Sequence, residues 1–347
     1  MGSPSQAISE ALNTKATPSL SVVIATYNRA PLLKVAIDSV LSQTYQDYEL
    51  IVADDGSSDD TAALVASYAE RGITGAQRIR YFYQENQGKS VALNNAVAQA
   101  RGEWVAFLDS DDYWLAEKIE RQFSAIEHFQ GRCGACFTDG QFVNNPHMDT
   151  TAFRFYGRHY DEQIGMLSEP SRLFAETPAG VSIVTLLCRT ELVSKAGGFD
   201  PKLRFTEDYD FIFRLSLVTD FCFVNAPLVI IDRSAAENRH SGASAVWDKI
   251  DFRLQCEQRR YEKWMDLADK NHVNLKGILK SQLRKVHSGW ANFYLANGQY
   301  DLAQEEISKA IKYEVTPGLL VKNLLARLSP RTARTLALRR GFDAQVF

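Results

Sequence analysis

Residues 102–114 read GEWVAFLDSDDYW. Five apolar residues, Trp104 to Leu108, run directly into Asp109, Ser110, Asp111 and Asp112. An apolar run of this length with polar flanks reads as a buried strand. Its end poses an electrostatic problem. The three aspartates repel one another, and each loses hydration beside an apolar strand. Something positive must stand among them, either a basic side chain or a divalent cation.

The neighbouring sequence repeats the pattern. LSVVIATYN (20–28) and YELIVADDGSSDDT (48–61) are apolar strands that end in polar clusters, and IRYFYQEN (79–86) is a third strand. Residues 31–41, 61–72 and 88–102 carry apolar side chains at helical spacing. Pro31 suits a first helical turn, Asp59 or Asp60 caps the second helix, and Gly102 ends the third. Alternation of strand and helix predicts an α/β fold with a mostly parallel sheet covered on both faces. Such sheets bind ligands outside the carboxyl ends of their strands. TYNR, DDGS and DSDD are three of those ends.

Beyond Trp114 the pattern loosens. A helix over KIERQFSAIEHF, a strand over GACFTDGQFV and an irregular, aromatic-bearing stretch at 144–180 are expected. A strand and short helix over VSIVTLLCRTELVSKAGGFD follow. In FTEDYDFIFRLSL, Glu207 and Asp208 open an amphipathic helix, where acids gain from the helix N-terminus. FCFVNAPLVIIDR is a further strand. The reading divides the chain into a polar tail (1–18), an α/β region (19–245) and a helical region (246–347). Residues 290–314 pair two short helices around Gly298. Their apolar face packs on this chain's own helices, on a second copy in a homodimer, or on another protein. The last segment, GLLVKNLLARLSPRTARTLALRRGF, mixes leucines with Lys322, Arg327, Arg331, Arg334, Arg339 and Arg340. It reads as peripheral contact with an anionic membrane or as the solvated face of a packed helix.

Bulk composition excludes other classes. The 347 residues carry a net charge of −3, with 45% hydrophobic and 23% charged residues. This is ordinary globular composition, without the broad basic surface of a nucleic-acid binder. No apolar run approaches a membrane span, and the first residues lack the pattern of a signal peptide. Five cysteines at wide spacing give no disulfide framework, and the CGAC at 133–136 has no second half to complete a zinc site. A reducing, cytoplasmic location is expected, with the basic segment as a means of reaching the inner face of the plasma membrane. No Gly-rich dinucleotide or P-loop motif is present.

The strand-end clusters suit a nucleotide-diphosphate ligand, which needs base recognition and cover for the diphosphate charge. Magnesium or manganese takes oxygen ligands, usually one or two carboxylates plus phosphate oxygens. Asp109 and Asp111, two residues apart, can project the same way. The plain alternative is a solvated acidic turn.

At this point the chain resembles a known family. SVVIATYNRAPLLKVAIDSVLSQTYQDYELIVADDGSSDDT, NQGKSVALNNAVAQARGEWVAFLDSDDYW, GGFDPKLRFTEDYDFIFRL and RHSGAS are similar to glycosyltransferase family 2, of GT-A fold, over roughly residues 19–244. The resemblance implies a nucleotide-diphospho-sugar transferase with a Rossmann-like mixed sheet, inversion at the anomeric carbon, and a divalent metal, manganese or magnesium. It implies a nucleotide pocket lined by Thr26, Tyr27 and Arg29, with Asp55 hydrogen-bonding the base and Asp54 beside it. Lys89 faces the diphosphate. Asp109 and Asp111, with Ser110 between them, match the DxD element, Asp111 touching the metal. Asp208 matches the catalytic base, and His240 approaches the metal or diphosphate, although SAAEN replaces the usual residues before it. A UDP-sugar donor and a glycan or lipid-linked acceptor in bacterial surface polysaccharide synthesis are implied. No QxxRW motif relates the chain to processive synthases. The hairpin around Gly298 resembles a single tetratricopeptide repeat. Two rival readings are a nucleotidyltransferase, for which ATYNRAP makes a poor phosphate cradle, and a degenerate transferase acting as a scaffold through its helical tail.

Overall fold

A computed structural model describes residues 18–70, 79–144, 149–178, 180–204, 206–233 and 250–339. Strands β1 (Leu20–Thr26), β2 (Tyr48–Asp54), β3 (Ile79–Tyr83) and β4 (Trp104–Asp109) alternate with helices α1 (Ala30–Leu41), α2 (Thr61–Glu70) and α3 (Lys89–Ala98). β1 and β2 are almost wholly buried, as their continuous apolar sequence requires when both faces of a sheet are covered. The four strands are parallel in the order β3-β2-β1-β4. Thr26 lies beside Asp54 and Ala25 beside Asp109, so three polar strand ends share one edge.

Past β4 the sheet becomes mixed. The chain continues through β5 (Tyr113–Trp114), α4 (Lys118–His128), β6 (Ala135–Val143), α5 (Ala152–Phe155), β7 (Ile164–Met166) and α6 (Pro170–Glu176). Then come β8 (Leu186–Arg189), α7 (Thr190–Lys195), α8 (Glu207–Leu215) and β9 (Phe221–Asp232). β8 is antiparallel to both β4 and β6, β6 is parallel to β9, and β5 and β7 each pair antiparallel with β9. The described residues of the stretch 144–180 thus hold only short elements.

One expectation needs correction. Gly102 does not end α3, which stops at Ala98 with Gln99 as its C-cap. Gly102 is required by close approach: a Cβ there would stand 2.4 Å from the Ser21 nitrogen and 2.5 Å from the Leu20 carbonyl carbon. The Arg101 and Gly102 N–H groups donate to the Ser21 hydroxyl, which itself donates to Glu49.

Helices α9 (Ile250–Lys270), α10 (Lys276–Ala296), α11 (Tyr300–Tyr313), α12 (Pro317–Leu328) and α13 (Pro330–Arg339) follow. The first two continue the main core: Trp264 is fully buried and stacks on Phe213 of α8 at 4.1 Å, and Leu279, Leu283 and Val286 join the same apolar cluster. Gln282 donates to the carbonyls of Ala175 and Glu176, satisfying the C-terminal end of α6. The hairpin around Gly298 is formed, with Gly298 at φ 74°. Its first arm is one continuous 21-residue helix, not a short one. It runs on because Leu279, Leu283, Val286 and Trp290 give it a buried stripe along its whole length. A small second core of Ala291, Leu295, Ala303, Ile307, Ala326, Ala333 and Ala337 joins α10 to α13. No helix among the described residues is long and apolar enough to cross a membrane.

Candidate active site

The site is built on the shared strand edge. β1 ends at Thr26, which is buried and whose hydroxyl has no hydrogen-bond partner. Tyr27 follows, half-buried, and Asn28 takes φ 50° to turn the chain into α1. That turn is locked to the one after β2. The Asn28 N–H donates to the Ser57 hydroxyl at 2.8 Å, and the Ser58 N–H donates to the Asn28 side chain at 2.7 Å. Asp59 accepts from the Ala30 N–H and from both the N–H and hydroxyl of Thr61, so it caps α2 while holding the start of α1. These hydrogen bonds hold its carboxyl below the ordinary range, against the opposing pull of desolvation.

Asp54 and Asp55 are both buried and both engaged within the chain. Asp54 accepts from the Ser57 N–H at 2.8 Å and from the Tyr81 hydroxyl at 2.5 Å. Asp55 accepts from the Gln84 side chain at 2.7 Å, the Gln87 N–H at 2.9 Å and the Gly88 N–H at 2.8 Å. About four acceptor positions exist on a carboxylate, so Asp55 retains room for roughly one more donor. Its visible task is to hold the 84–88 loop against the sheet edge. Gly56 permits this approach, since a Cβ there would meet the Asn86 nitrogen at 2.8 Å. Gly88, at φ 95°, begins α3 with open space where a Cβ would be.

The opening question has its answer in two basic side chains. Lys89 Nζ lies 2.6 Å from Asp109 Oδ1 and 3.8 Å from Glu207 Oε1, and Arg29 Nη1 lies 2.6 Å from Asp111 Oδ2. One oxygen from each of Asp109, Asp111 and Asp112 falls within 4.8 Å of the others, a spacing that suits a single divalent cation. Ser110, between them, is buried. Asp112 accepts from the Asp232 N–H at 3.0 Å, which ties the acidic turn to β9. Burial, then the negative charge of Asp111 and Asp109, pushes the Asp112 carboxyl well above the ordinary range. Bringing a cation there would relieve that repulsion.

Helix α8 closes the site from the other side. Asp208 feels both the Lys89 ammonium and the Asp109 carboxylate, so it shares their electrostatic environment. Its Oδ1 accepts from the N–H of Tyr209 at 2.8 Å. Burial raises the Asp208 carboxyl, opposed by Lys89. Glu207 is more extreme. It is buried, its Oε2 has no hydrogen-bond partner, and desolvation pushes it up to about 8 despite the Lys89 charge. In the sequence Glu207 reads only as a capping acid; nothing local signals that it faces Lys89. Of the residues singled out from sequence, Thr26, Tyr27, Arg29, Asp54, Asp55, Lys89, Asp109, Ser110, Asp111 and Asp208 all lie at this edge or face it. His240 lies outside the described residues.

A family profile described as Glycosyl transferase family 2 matches residues 21–178, which contain every strand-end cluster described above. Those residues are similar to glycosyltransferase family 2. An uncharacterized glycosyltransferase of Rickettsia typhi is 30% identical over 213 residues, 61% of this chain and 63% of that protein. The match therefore spans less than two thirds of that relative's length. A Campylobacter jejuni protein named GalNAc(5)-diNAcBac-PP-undecaprenol beta-1,3-glucosyltransferase is 39% identical over 122 residues, 33% of this chain and 38% of its own. Among solved structures, residues 1–349 of S. aureus TarS in complex with UDP-GlcNAc superpose with a TM-score of 0.68 at 19% identity, covering 93% of this chain and 92% of that one. At that identity the likeness concerns fold: this chain has the mixed α/β sheet of the GT-A type, followed by a helical extension.

Helix α8 is braced from behind by α9. Asp210, fully buried, accepts from Arg214 at 2.9 and 2.6 Å, from Lys263 at 2.9 Å and from the Trp264 indole at 3.1 Å. Arg260 of α9 lies 5.5 Å from the Tyr209 ring. The helical extension thus reaches the back of the helix that carries Glu207 and Asp208.

Proposed function

We propose that this chain is a family 2 glycosyltransferase that moves a sugar, with inversion at the anomeric carbon, from a UDP-sugar to a hydroxyl of a glycan or lipid-linked acceptor in bacterial surface polysaccharide synthesis. The observation that carries the reading is the convergence of Asp109, Asp111 and Asp112, within 4.8 Å of one another, with Lys89, Arg29 and the start of α8. The Campylobacter relative's printed name includes a lipid-linked acceptor, which supports the acceptor class. We assign the chemistry to residues 19–245 and a bracing role to residues 246–347.

The three-carboxylate donor set fits a magnesium or manganese ion, with Asp111 and Asp109 as its holders. When bound, such an ion neutralises charge on the departing diphosphate. The chain's own residues supply the rest. Thr26, Tyr27 and Arg29 line the nucleotide pocket, and Asp55, with Asp54 beside it, hydrogen-bonds the base while holding the 84–88 loop. Lys89, at the start of α3, adds a fixed positive charge where negative charge develops. Arg29 holds Asp111 in place. Asp208 accepts the proton of the acceptor hydroxyl as that oxygen attacks the anomeric carbon from the face opposite the leaving group.

The test is calorimetric binding of UDP, GDP, dTDP and CDP, with and without manganese, on wild type and Asp111→Ala. Manganese-dependent binding of UDP, lost in the variant, is expected. Failure of folded protein to bind any nucleotide would overturn the donor-site reading and favour a scaffold. Preference for another base would correct the donor alone.

A further inference from the structure

Helix α12 is inverted. Its inward side carries Leu319 and Ala326, and Lys322, which is drawn inward to donate to Ser288 and Asn292 of α10 at 2.8 and 2.9 Å. Its outward side carries Leu320, Val321, Leu324 and Leu328, which are 50%, 56%, 57% and 76% exposed. At roughly 100° per residue these four fall within about 100° of arc on the side opposite Ala326. A solvated helix places its apolar stripe the other way round. In α13 the same end of the protein exposes Leu336 and Leu338.

Charge selects the occupant. Residues 315–339 contain Lys322, Arg327, Arg331, Arg334 and Arg339 and no Asp or Glu. Arg327 and Arg331 are exposed beside the leucines. A two-fold contact with a second copy would set this patch against itself, cation against cation. An apolar stripe flanked by arginines fits the boundary between lipid headgroups and acyl chains when the headgroups are anionic.

We propose that α12 and α13 form a docking surface for an anionic lipid bilayer, with Leu320, Leu324 and Leu328 inserted at the acyl boundary and Arg327 and Arg331 among the headgroups. This surface works without the donor site: vesicle binding needs neither nucleotide nor metal. It is tested apart from the catalytic reading.

The experiment is flotation of the full chain with vesicles of phosphatidylcholine alone or with about 30% phosphatidylglycerol, at low and high salt. Wild type should float with the anionic vesicles at low salt and far less with the neutral ones. Arg327→Gln with Arg331→Gln should weaken partition roughly fivefold per arginine, following about 1 kcal/mol per basic residue at an anionic surface. Leu320→Ser with Leu324→Ser and Leu328→Ser should abolish flotation while circular dichroism and thermal unfolding stay unchanged, since all three side chains already face outward. Three outcomes would overturn the proposal. The first two are folded wild type that does not float at low salt, and wild type that floats equally with neutral vesicles. The third is an oligomer in light scattering that the leucine variant returns to monomer, which assigns the face to a second copy.

Discussion

Asp210→Asn isolates the joint between the helix that carries Glu207 and Asp208 and the helical extension. The carboxylate is fully buried and takes four hydrogen bonds from Arg214, Lys263 and Trp264. Asparagine keeps the shape but removes the charge and replaces an acceptor oxygen with a donor. Breaking a buried ion pair from one side costs about 3–5 kcal/mol, because the remaining charge is left without its partner. Two features favour the lower figure. Arg214 also donates to the carbonyls of Ala196 and Gly198, and Lys263 also reaches Asp200 at 2.9 Å. The expected loss is about 3 kcal/mol. Lys263→Met should cost no more than about 1 kcal/mol, because Lys263 is partly exposed and solvent screens its pair. Urea unfolding followed by tryptophan fluorescence reads both, with Trp264 stacked on Phe213 as a local reporter. A loss under about 1 kcal/mol for Asp210→Asn, or equal losses for the two variants, would refute the claim that this carboxylate is the electrostatic centre of the joint.

Three further outcomes are expected. Asp208→Asn should lower turnover by roughly 10²–10⁴-fold while nucleotide affinity in calorimetry changes little; equal losses in both would remove Asp208 from the role of base. Lys118 is fully buried with its ammonium on Gln122, and burial pushes it down to about 7. Its folded-state value is thus below its unfolded value, so the folded state binds fewer protons and stability rises with pH from about 7 to about 10.5, by an amount on the order of 4 kcal/mol. In Lys118→Met that rise should vanish, so wild type gains stability relative to the variant as pH increases; a difference constant from about pH 6.5 to 9.5 would contradict it. Gly102→Ala should lower the melting temperature through a clash with β1 backbone worth about 1–3 kcal/mol or more, and an unchanged melting temperature would show that the strand can yield.

Much of the fold is legible in the chain because its signals are local. Continuous apolar runs ending in TYNR, DDGS and DSDD mark strands buried on both faces, and periodicity marks the helices between them. The strand ends gather at one edge because parallel strands joined by helices all point the same way. What stayed hidden depends on partners distant in sequence. Gly102 looks like a helix stop until Ser21, 81 residues away, is seen against it. Glu207 looks like a capping acid until α8 folds over Lys89. The three donors to Asp55 come from the loop at 84–88, which only the β2–β3 pairing brings near.

The sequence by itself determined the elements, the parallel half of the sheet and the acidic strand end, since each rests on nearest-neighbour chemistry and period. Only the tertiary structure decided which positive groups stand among the aspartates, that α9 braces the back of α8, and that α12 turns its leucines outward. Those depend on which faces meet, and burial and charge pairing between distant segments are properties of the packed molecule, not of any one stretch of chain.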